Sequence, residues 1–65
     1  MEFKPRKSIA KRRIVITLFV RQRGTDLYDY KVVMRDLITD KIQADEEFDS
    51  EAEAIEYFSN LYDSL

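Results

Sequence analysis

The only glycine of the chain, Gly24, stands between two runs of β-branched and aromatic residues, and this limits the fold more than any other feature. Before it lie Ile14, Val15, Ile16, Leu18, Phe19 and Val20; after it lie Tyr28, Tyr30, Val32 and Met34. Side chains that are stiff at χ1 favour a pleated strand over a helix, and a strand alternates its side chains between two faces. Arg23-Gly24-Thr25-Asp26 has the chemistry of a hairpin connection, so residues 12–22 and 28–38 are expected to form two antiparallel strands. Pairing Val20 with Tyr30 sets Leu18 opposite Val32 and Ile16 opposite Met34 on one face. On the other face Arg21 meets Asp29 and Phe19 meets Lys31, an agreement that a one-residue slip would destroy.

Thr39 and Asp40 are turn formers, and residues 41–48 read as a third, more exposed strand. Ile42, Ala44 and Phe48 are assigned to its core face and Lys41, Gln43, Asp45 and Glu47 to the other. Pairing Ile38 with Ile42 puts Arg35 across from Asp45. It also places Asp36 on the core side opposite Ala44, so a bulge or an open-edge position is expected there, with the carboxylate reaching water. Ser50 followed by Glu53 is a capping box at a helix start. From there Ala54, Ile55, Phe58, Leu61, Tyr62 and Leu65 form one apolar stripe at helical spacing. The expected fold is α+β: a three-stranded antiparallel meander with one C-terminal helix packed on one face, in the order βββα.

A chain of 65 residues has room for a single small core. With no Cys and no His, disulfides and the usual zinc sets are ruled out, and neither a metal nor a cofactor is expected. The longest apolar run, Ile14 to Val20, is far shorter than the roughly 20 residues needed to cross a bilayer, so a cytoplasmic protein without a membrane partner is expected. Residues 1–11 contain the only proline and no apolar period, and are expected to form a flexible basic arm ahead of a single domain over residues 12–65.

Charge is sorted along the chain. Residues 1–23 carry eight basic side chains against one acid, whereas residues 24–65 carry three against twelve. Such a dipolar chain suggests an acidic partner at its basic end. With the helix covering one face of the sheet, the other presents Val15, Thr17 and Phe19, then Lys31, Val33 and Arg35, then Lys41 and Gln43. An apolar centre with basic margins is the signature of a contact surface.

The βββα order, with Phe48-Asp49-Ser50-Glu51-Ala52-Glu53-Ala54 leading into an aromatic-bearing helix, resembles the AP2-like and arm-type integrase N-terminal DNA-binding domains. The resemblance covers about residues 12–64 and implies that the exposed sheet face lies in a DNA major groove. It selects Arg13, Thr17, Arg21, Arg23, Lys31, Arg35, Lys41 and Gln43 as contacts, while Asp29, Asp45 and Glu47 depart from the pattern.

No Gly-rich phosphate loop and no nucleophile–base set is present, so an enzyme is not expected. The leading expectation is a small non-enzymatic binding protein with DNA or RNA as partner, using the arm and Arg12, Arg13, Thr17, Phe19, Arg21, Arg23, Lys31, Val33, Arg35, Lys41 and Gln43. The alternative is a protein-binding accessory or inhibitory module of the phage or mobile-element type. It would dock through the apolar centre of the same face, on another protein or on its own copy as a homodimer.

Overall fold

Alternation along the chain becomes four strands and one helix in the computed structural model, which describes residues 2–65. These are β1 (Lys4–Lys11), β2 (Ile14–Gly24), β3 (Leu27–Asp36), β4 (Ile42–Phe48) and α1 (Glu51–Asp63). The strands form one antiparallel sheet in the order β1-β2-β3-β4. The fold is therefore α+β with a C-terminal helix, but the sheet has four strands where three were expected.

The additional strand is the segment expected to be a flexible arm. Lys4–Lys11 pairs along β2, with Ile9 opposite Ile16 and Lys11 opposite Ile14, and Ile9 packs against the core. A bulge between Pro5 and Lys7 takes Arg6 out of the alternation. Its guanidinium reaches the start of α1, where it donates to Glu51 Oε2 at 2.7 Å. Lysines and a proline on an edge strand are a common guard against further strand pairing, so composition that suggests an arm also suits a protected edge.

The core lies between the sheet and α1. Ile16, Leu18, Val32, Ala54 and Phe58 are buried, and Ile14, Tyr30, Met34, Phe48, Tyr57, Leu61, Tyr62 and Leu65 close around them. Pairing of β2 with β3 follows the expected register, from Val20 opposite Tyr30 to Ile16 opposite Met34. The Glu53 amide donates to Ser50 Oγ at 3.4 Å, which makes Ser50 the N-cap of α1, the helix start expected from the sequence. The apolar stripe needs one correction. Tyr57 turns inward to meet Phe48 at 5.3 Å between ring centroids, while Ile55 is left exposed.

The β3–β4 register is offset by two residues from the expected one, so Val33 rather than Arg35 faces Asp45, and Met34 faces Ala44. An even offset keeps each face in place. A bulge next to this pair then skips Gln43 and sets Ile42 opposite Arg35. The extra residue inverts the alternation, so Ile42 comes to the open face and Gln43 leaves it. The cause is the turn: residues 37–41, including Ile38, form a loop rather than strand.

Asp36 governs that loop. It is only 1% exposed, so the expected escape of its carboxylate to water does not occur. One oxygen accepts the Ile38 and Thr39 amides at 2.8 and 3.1 Å, and the other lies 3.0 Å from Arg13 Nε. The Thr39 amide does most to hold this carboxyl below the usual carboxylate range; burial opposes it, and the Ile38 amide and the Arg13 charge reinforce it.

Candidate binding face

The side of the sheet away from α1 carries Val15, Thr17 and Phe19 from β2, Val33 and Arg35 from β3, and Ile42 from β4, which together line one shallow depression. Ser8 extends it onto β1, where its hydroxyl lies 3.1 Å from that of Thr17. Strand alternation brings these residues to one side because Ser8, Thr17, Val33 and Asp45 form one cross-strand row and Pro5, Phe19, Lys31 and Glu47 the next.

Cations frame the apolar strip, and each of them already has a carboxylate. Arg21 donates to Asp29 Oδ2 at 2.8 Å and lies 3.8 Å from Glu47, while Arg23 approaches the other oxygen of Asp29 at 3.3 Å. Lys31 lies 3.6 Å from Asp45, and Arg35 lies 3.7 Å from Asp40. Phe3, which the sequence did not single out for this face, lays its ring against Arg21 at 4.2 Å and Lys31 at 5.6 Å. The acids that depart from the DNA-binding pattern, Asp29, Asp45 and Glu47, are thus the partners of Arg21, Arg23 and Lys31, three of the basic residues expected to bind DNA.

The expected site residues divide into groups. Thr17, Phe19, Arg21, Lys31, Val33 and Arg35 share the open face. Arg23 joins them at the end of β2 through Asp29. Arg12 and Arg13 form the β1–β2 turn at the opposite end of β2, and Lys41 closes the β3–β4 loop beside it. Gln43 lies with Lys11, Arg12 and Leu65 rather than on the open face, contrary to expectation.

Cations with no carboxylate in reach, among the described residues, are Lys4, Lys7, Lys11, Arg12 and Lys41. Lys4, Lys7 and Lys11 sit opposite Val20, Leu18 and Ile14, and therefore face the helix side of β1. Lys7 and Lys11 extend over the rings of Phe58 and Tyr62. Among the described residues there is no His/Cys/Asp/Glu group placed to hold a metal and no helix long and apolar enough to cross a membrane. The chain matches no protein-family model, and comparison with curated proteins and with solved structures likewise gives no match.

Proposed function

We propose that the protein is a small non-enzymatic binding module whose open sheet face docks on a partner protein. The observation that carries this reading is the strip Val15, Phe19, Val33 and Ile42, left bare between cations whose charge is already matched within the chain. Phosphate binding gains from cations that release counterions, whereas Arg21, Lys31 and Arg35 would first have to give up a carboxylate. Apolar contact carries no such exchange, and a ring of satisfied polar groups around an apolar centre is the usual anatomy of a protein interface.

Nucleic-acid binding is retained as a second reading for a specific reason: the Lys4, Lys7 and Lys11 row on β1 has no carboxylate partner among the described residues. That reading moves the contact from the open face to the β1 edge. Crosslinked capture from the source cells, with and without nuclease, separates the two when run on the wild type, Val33→Glu and Lys7→Glu. Capture that survives nuclease and is lost in Val33→Glu supports the protein interface. Capture that nuclease abolishes and Lys7→Glu weakens supports the second reading and overturns the first.

A further inference from the structure

Three of the exposed large apolar side chains, Leu37, Ile38 and Ile42, fall within six residues of one another at one end of the sheet. Leu37 and Ile38 are 51% and 73% exposed. The loop that carries them is not slack. Five successive backbone amides donate inside the protein: Asp36 to Lys41 O, Leu37 to Arg13 O, Ile38 and Thr39 to the Asp36 carboxylate, and Asp40 to Asp36 O. The one buried charged side chain among the described residues thus holds in place a loop that presents apolar side chains outward.

Satisfied amides change what such a loop can enter. An unpaired N–H is costly to take out of water, so a tip whose amides are already bonded can move into a less polar layer without that penalty. Charge at this end supplies the complement. Arg12, held at a φ of 60° in the adjoining turn, and Lys41 have no carboxylate in reach among the described residues, while Asp36 and Asp40 are engaged by Arg13 and Arg35. Apolar tips flanked by unpaired cations suit a surface that is anionic outside and apolar beneath.

We infer that this end of the molecule docks on an anionic bilayer surface, with Leu37 and Ile38 entering the interfacial layer and Arg12 and Lys41 meeting the lipid head groups. No spanning segment is required. Such an anchor is weak and reversible, because it rests on a few apolar side chains and a few cations. It leaves the open face free, since that face runs along the side of the strands and the loop lies at their end. The inference is independent of the partner-protein reading.

Sedimentation of the full chain with phosphatidylcholine vesicles, with and without phosphatidylglycerol, tests it. Binding is expected only to the vesicles containing phosphatidylglycerol. It should fall by about fivefold or more in Arg12→Glu and about tenfold or more in Ile38→Asp. Both sites are exposed, so a thermal melt matching the wild type serves as the folding control. Because the chain lacks tryptophan, Ile38→Trp gives a single indole whose emission should shift to the blue on these vesicles. The inference is overturned by absence of vesicle binding, by binding that Ile38→Asp leaves intact, or by an indole that stays in water. It is also overturned if Arg12→Glu and Ile38→Asp weaken binding to duplex DNA while vesicles do not bind at all.

Discussion

The ammonium of Lys7 lies 5.4 Å from the centroid of Phe58, so a residue of the first strand closes over the aromatic that anchors the helix. Two residues further along the same strand, Ile9 packs against the same core, and the Arg6 guanidinium ties β1 to the first turn of α1 through Glu51. β1 is therefore part of the domain. Deleting residues 1–11 should abolish the cooperative thermal transition, because it removes Ile9 and strips the backbone partners from β2. Ile9→Ala, a milder change at a half-buried site, should cost about 1 to 2 kcal/mol in denaturant melts. A truncated chain that melts like the whole would show β1 to be dispensable.

Asp36 makes the stability depend on pH in a defined direction. Its folded pKa is lowered, chiefly by the Thr39 amide, so its contribution is fully present above the unfolded value near 3.8. That contribution is lost as pH falls through the lower folded value. Asp36→Asn should therefore melt below the wild type at neutral pH, and the gap should narrow as the buffer is taken well below pH ~4. Melting both proteins across that range is the check. A gap independent of pH would mean that the carboxylate charge is not what holds the loop.

Much of this architecture is legible in the residues, and the parts that are not have physical causes. Ile16, Leu18, Val32, Ala54 and Phe58 declare themselves because period two and period 3.6 both lead to one buried cluster. β1 does not, because Lys4–Lys11 offers only Ile9 as a packed apolar residue and is a strand by virtue of the β2 edge beside it. Gln43 and Ile42 are misplaced by alternation alone, since a bulge shifts the count by one and nothing in Ile42-Gln43-Ala44 marks it. Arg21 opposite Asp29 is legible from the β2–β3 register, but the pairing of Asp45 with Lys31 and of Glu47 with Arg21 depends on a β4 register that the 37–41 loop sets.

The helix should tolerate loss of its cap better than loss of its anchor. The Ser50 to Glu53 bond is long at 3.4 Å and exposed, so Ser50→Ala should cost about 0.5 to 1 kcal/mol, the lower part of the usual range. Phe58→Ala should cost about 3 to 5 kcal/mol, because it empties the centre of the core and removes the ring beneath Lys7. Urea melts of the two variants should rank them in that order. A harmless Phe58→Ala would mean that α1 is not seated on the sheet as described.

Arg21 and Asp29 should couple measurably, since their 2.8 Å contact is only partly open to water, with side chains 33% and 14% exposed. A double-mutant cycle through Arg21→Ala and Asp29→Ala should return about 0.5 to 1 kcal/mol, close to the upper limit for a solvent-screened pair. Asp29 also faces Arg23, so the Asp29 single variant should be the more destabilising of the two. Zero coupling would remove the argument that these cations are already committed.

Phe19 offers the sharpest division between the functional readings because it is half-buried on the open face and has no place in the core cluster. Phe19→Glu should leave a folded protein with a melt close to that of the wild type, while Val33→Glu beside it should behave alike. If the face docks on a protein, either change should weaken that contact by about tenfold or more, since a charge in the centre of an apolar interface must be desolvated without a partner. Arg21→Glu should matter less, because Arg21 stands at the margin and is already engaged by Asp29. Nucleic-acid binding along β1 reverses that order: Lys7→Glu and Lys11→Glu should weaken it and flatten its dependence on salt, while Phe19→Glu leaves it nearly unchanged. Titrations at low and high salt, with circular dichroism as the folding control, decide between them. If Phe19→Glu unfolds the protein, the ring belongs to the core and the open face loses its apolar centre.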